Sequence, residues 1–102
     1  MYKLDITPAA IRDETDAISY ISDTLQNPSA ASNLLEQIER CYSILEDNPY
    51  IYSLCADPQL SALGYHKVII KKHVMLYKID VAKQVVHILR FVYGPSDYMK
   101  RL

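Results

Sequence analysis

Residues 64–80 read GYHKVIIKKHVMLYKID, and the way this stretch folds back on itself decides the architecture. Two apolar runs, 65–70 and 74–79, are rich in β-branched and aromatic residues and flank Lys71-Lys72. A two-residue connection between such runs makes an antiparallel hairpin in which Lys67 opposes Leu76 and Val68 opposes Met75. Side chains alternate between faces. One face then carries Val68, Ile70, Met75, Tyr77 and Ile79, and the other carries Lys67, Ile69, Val74, Leu76 and Lys78. Burying unpaired lysines would cost several kcal/mol, so the first face is expected to meet the core.

Working outward, 85–93 (VVHILRFVY) forms a further strand after a short connection at 80–84. Its even set, Val86, Ile88, Arg90 and Val92, is assigned to the lysine face, because the opposite choice would place Arg90 under whatever covers the sheet. Lys67, Lys78 and Arg90 then share one open surface with exposed Ile69, Val74 and Leu76. A mixed apolar and cationic face suits binding. The alternative is that Arg90 pairs with an acid such as Asp5. On the open-face reading, replacing Arg90 removes function without unfolding the domain.

Toward the N-terminus, residues 2–6 alternate as a short strand. Thr7-Pro8 and Asn27-Pro28 each join a capping side chain to a proline suited to the first helical turn. The first helix has its stripe at Ile11, Ile18, Ile21 and Leu25, and the second at Ala31, Leu34, Leu35, Ile38, Cys41, Tyr42 and Leu45. Asp13, Glu14 and Asp16 are expected near the positive helix start. Residues 49–64 read as irregular. The order is β-α-α-β-β-β, an α+β fold: an antiparallel sheet with a helical hairpin on one face and a short C-terminal helix, all in a single domain over 1–102.

Composition bounds what the chain can do. With 102 residues, half of them apolar and only two glycines, it can build one core. Residues 1–50 hold nine acids against three bases, and residues 51–102 three acids against eight bases. The basic half hints at an anionic partner. Cys41 and Cys55 have no metal-ligand spacing and read as buried thiols of a reducing cytoplasm. No stretch reads as a signal peptide or a membrane span. No phosphate loop, dinucleotide fingerprint, zinc motif or nucleophile elbow is present. His66, His73 and His87 do not form a ligand set. They are read as structural, with acid–base work as the alternative, and no metal or cofactor is expected.

The segments GYHKVIIKKHVMLYKID and VVHILRFVYGPSDY, on this frame, resemble the RelE/ParE family of small bacterial toxins from toxin–antitoxin pairs. The resemblance implies a cytoplasmic toxin neutralised by a small antitoxin, and it implies two chemistries. RelE-type members cut mRNA on the ribosome with a metal-independent cluster of cations and a C-terminal Tyr or His, whereas ParE-type members poison DNA gyrase. Cleavage by a 2′-hydroxyl needs a base, an acid and cations on the transition state. Two usual arginine positions are occupied here by Val74 and by Pro95-Ser96. Lys67, Arg90 and Tyr98 remain as catalytic candidates. Lys67, Lys71, Lys72, Lys78, Arg90, Tyr93 and Tyr98 are candidates for target or nucleic-acid binding, and Ile69, Val74 and Leu76 for antitoxin binding. A gyrase-binding toxin is therefore favoured, with a RelE-like ribosome-dependent endoribonuclease or a degenerate, antitoxin-binding member as alternatives.

Overall fold

Capping chemistry sets the element boundaries in the computed structural model, which describes residues 1–94. After β1 (Lys3–Ile6), the Thr7 side chain accepts the Ala10 N–H and opens α1 (Pro8–Ser19). A π-helical turn (Tyr20–Thr24) follows. The Asn27 side chain accepts from Ala30 and opens α2 (Pro28–Asp47). The Asp57 side chain accepts from Gln59 and Leu60 at the start of α3 (Pro58–Ala62), a short helix inside the segment read as irregular. Then come β2 (His66–Ile70), β3 (His73–Asp80) and β4 (Val85–Tyr93).

The hairpin has the expected register, Lys67 against Leu76 and Val68 against Met75, closed by Lys71-Lys72 with Lys71 at a φ of 57°. The sheet order is β1-β4-β3-β2, and β1 runs parallel to β4. The sheet is therefore mixed rather than wholly antiparallel. The reason is topological: β1 reaches β4 only after the chain has passed through the helices and the hairpin, so no tight turn forces the two to oppose. The expected C-terminal helix lies outside the described residues.

The helices cover one sheet face. Ala10, Leu34, Ile38, Cys41 and Leu45 pack on Val68, Ile70, Met75, Tyr77, Val86, Ile88 and Phe91. Ile18 and Ile21 join this core, whereas Ile11, Leu25 and Leu35 stay exposed, Leu35 at 45%. The buried stripes are thus narrower than the periodicity predicts. The π-helical turn, closed by Leu25 N–H to Tyr20 O at 3.0 Å, moves Leu25 out of the α-helical phase.

Two further expectations are corrected. The face opposite the helices is covered beside the hairpin: Cys55 and Leu60 pack there on Val74, Leu76 and Val92. Val74 and Leu76 are buried, and of the three proposed apolar contact residues Ile69 alone is exposed, at 69%. In addition, β4 does not keep one parity. Tyr77 pairs with Ile88 while Leu76 pairs with Arg90, so Leu89 is an extra residue, a β-bulge. Before it, Val86 and Ile88 face the helices. After it, Phe91 does.

Candidate functional site

The arginine of β4 is held where β1 ends. Thr7 completes the β1 side, its N–H bonding Ile88 O and its hydroxyl donating to Leu89 O, both at 3.1 Å. Beyond that point Asp13 of α1 takes the place of a neighbouring strand. Its Oδ2 accepts the Phe91 N–H at 3.0 Å and Arg90 Nε at 2.7 Å, and its Oδ1 accepts Arg90 Nη2 at 3.0 Å. The hydrogen bonds to Asp13 raise the Arg90 pKa against the opposing effect of desolvation. Arg90 thus joins strand to helix. The register keeps Arg90 in one row with Leu76 and Lys67, as alternation assigns it, but Leu76 is buried, so that row is no open patch, and the acid of Arg90 is Asp13, because Asp5 bonds His87 instead. Asp13 could have been found from sequence: it lies on the α1 face of Ala10 and Ala17, so its carboxylate points inward and requires a cation.

Next to this clasp, the helical pair and the end of the sheet enclose a groove of about 1140 Å³. Ala17, Ile21 and Leu34 contribute apolar lining from the helices, and Phe91 and Val92 from β4. Asp13 and Asp16 border it from α1, and Lys71 and Lys72 from the hairpin turn. Tyr20, His73 and Tyr93 complete its aromatic lining. The His73 ring stacks on Phe91, with centroids 4.8 Å apart and planes at 5°, and meets Tyr93 edge-on at 5.7 Å. Burial lowers the His73 pKa, which favours the neutral ring. Its buried Nδ1 has no hydrogen-bond partner among the described residues. Gly94 follows at a close approach: its N–H bonds Lys72 O at 2.7 Å, and a Cβ would lie 3.0 Å from that oxygen.

The candidate residues therefore divide. Lys71, Lys72 and Tyr93 gather at the groove, with Arg90 clasped beside it. Lys67 and Lys78 lie on the opposite sheet face, where the Lys78 ammonium sits 5.1 Å from the centre of the Tyr65 ring. Tyr98 and Pro95-Ser96 lie outside the described residues. His66 stacks on Tyr77 at 5.0 Å, and its Nδ1 lies 2.9 Å from Tyr52 O. His87, expected with the core-facing set, faces away from the helices because the bulge reverses that part of β4. The first helix has one more interior group: Glu14 accepts a hydrogen bond from the Tyr42 hydroxyl. Burial raises the Glu14 pKa, Tyr42 lowers it in part, and the charge of Asp13 raises it again. Among the described residues no group of three or more His, Cys, Asp or Glu could hold a metal, and no helix is long and apolar enough to cross a membrane.

Residues 4–98 match a family described as the ParE toxin of the parDE type II toxin–antitoxin system. The chain belongs to the ParE toxin family. Solved structures share the toxin's fold. A chain of the chromosomal ParDE system of P. aeruginosa is 15% identical with a TM-score of 0.70, covering 91% of this chain and 96% of that one. One from the RelBE2 complex of Mycobacterium tuberculosis is 19% identical at 0.61, covering 90% and 96%. One from the intact E. coli RelBE complex is 16% identical at 0.62, covering 94% and 100%. Identities this low carry the fold alone. No curated protein matches the toxin.

Proposed function

We propose that this toxin inhibits growth by binding a protein target, DNA gyrase, as the resemblance implies for ParE-type members, and that an antitoxin segment neutralises it by filling the groove. The observation that carries this reading is the state of the strand-borne cation. Arg90 gives two hydrogen bonds to the Asp13 carboxylate, so its charge is already balanced and its fork already engaged. A transition-state cation must instead be aimed at the reacting phosphate, where one positioned donor contributes about 10²–10³ in rate. Val74, at the place where RNA-cleaving relatives carry arginine, belongs to the second apolar cluster. The groove itself is largely apolar with charged borders, which suits a folding-on-binding segment.

The test is expression of the full chain without an antitoxin, followed in parallel by gyrase supercoiling and by cleavage of ribosome-bound mRNA. Inhibited supercoiling with intact mRNA is the expected result. Cut mRNA with unaffected gyrase overturns the reading in favour of the ribonuclease. For the groove, Ala17→Arg and Tyr20→Arg, the latter at an exposed position of the lining, are expected to abolish co-purification with the antitoxin. Retained complex formation by both folded variants excludes the groove as its seat.

A further inference from the structure

The outer edge of β2 is only half covered. The sheet order leaves β2 at one end. Leu54 bridges antiparallel to His66, with Cys55 N–H bonding Tyr65 O at 2.8 Å and Lys67 N–H bonding Ser53 O at 3.3 Å. The chain before Ser53 leaves this edge: Tyr52 O lies 2.9 Å from the His66 ring, and Ile51 N–H bonds Asn48 O at 3.3 Å. Backbone groups alternate between the two sides of a strand, so the Ile69 N–H points outward as the Lys67 N–H does. Among the described residues nothing pairs with the Ile69 N–H or C=O on that side. The Ile69 side chain is 69% exposed. Such an edge is a template for a further strand.

We propose that this uncovered half of β2 is a docking edge for an extended acidic segment of a partner protein, which takes the place that residues 50–52 leave and runs antiparallel to β2. Charge selects this occupant. Residues 58–79 contain Lys67, Lys71, Lys72 and Lys78 and no acid. Lys71 and Lys72 are exposed where the hairpin closes. A second copy pairing here would gather Lys67, Lys71 and Lys72 of both chains, which opposes self-association. An incoming strand gains the Ile69 backbone bonds whatever its sequence, whereas its side chains set the specificity. The residue opposite Ile69 shares its face and is apolar. Residues toward the segment's N-terminal end lie against Lys71 and Lys72 and are acidic. Ile69 does not line the groove, so occupancy of this edge is independent of what fills the groove.

The experiment follows backbone amide resonances of the full chain by NMR during titration with the peptide acetyl-Glu-Glu-Val-Thr-Val-amide and, separately, with acetyl-Lys-Lys-Val-Thr-Val-amide. Saturable shifts at Ile69, Ile70 and Lys71 are expected with the acidic peptide, weakening as salt screens the lysines, and none with the basic one. Ile69→Pro removes the outward N–H but no bond of the β2–β3 ladder, so the fold is kept. Lys71→Glu combined with Lys72→Glu inverts the charge. Each change is expected to weaken binding about tenfold or more. Shifts at Ala17 and Ile21 in place of Ile69 would assign the peptide to the groove and overturn the proposal. Equal binding of the two peptides, no saturable change at millimolar concentration, or unchanged affinity in the folded Ile69→Pro variant overturns it as well. So does a dimer of the free chain that Ile69→Pro dissolves, since the occupant would then be a second copy.

Discussion

Replacing Asp13 by alanine tests the clasp at the centre of this fold. The substitution removes three acceptor contacts at once, two from a guanidinium and one from the Phe91 N–H. Breaking one side of a buried ion pair costs about 3–5 kcal/mol. Here the Arg90 and Asp13 side chains keep 23% and 17% of their exposure, so water recovers part of that loss. A net cost of about 2–4 kcal/mol is expected, from charge-assisted bonds at about 1.5–3 kcal/mol that do not add fully. In a domain of this size each kcal/mol lowers Tm by about 4–8 °C, so the midpoint should fall by about 8–32 °C. Arg90→Leu should cost less, since Asp13 still serves Phe91. The assay is thermal and urea unfolding of the parent, Asp13→Ala, Arg90→Leu and the double variant. A coupling energy of about 1–3 kcal/mol is expected, in the range of residues sharing one network. A coupling below about 0.5 kcal/mol, as for independent sites, refutes the reasoning, as does an Arg90→Leu variant as stable as the parent. Growth inhibition by Arg90 variants must then be judged against the folded fraction, because this arginine supports the structure.

Glu14→Gln should raise Tm at neutral pH. The raised Glu14 pKa means that the unfolded chain loses its proton first, so stability falls as pH rises from the ordinary carboxylate pKa through the folded one. The gain should therefore vanish on acidification below that range, and a gap that widens in acid contradicts the sign. Ile38→Asp should unfold the domain, since Ile38 lies inside the main core, whereas the exposed Leu35→Asp should leave a cooperative transition near the parent's midpoint. Circular dichroism melts separate the two outcomes. Cys41 should resist alkylation in the native protein and react rapidly in denaturant, because burial pushes its thiol up to about 11. Equal rates in both states would place Cys41 outside the core.

The sequence alone determined the two long helices, the four strands and the hairpin, though not α3 or the π-helical turn. Thr7-Pro8 and Asn27-Pro28 state their helix starts locally, and alternation about Lys71-Lys72 dictates the pairing of β2 with β3, since both signals act over a few residues. The GYHKVIIKKHVMLYKID and VVHILRFVY stretches, on that element order, were enough to indicate the family. The partner of Arg90 was decided only by the tertiary structure. Alternation also assumes an unbroken strand: the bulge at Leu89, set by how β4 fits between β3 and β1, turns Val86 and Ile88 toward the helices while Arg90 and Val92 keep the face alternation assigns them. The same non-local packing gives Arg90 its partner on α1, 77 residues away along the chain, and lays Cys55 and Leu60 over Val74 and Leu76. Periodicity reports which side of its own element a residue occupies. Which element comes to cover that side depends on closing long loops around a shared core, and no short window of sequence contains that information.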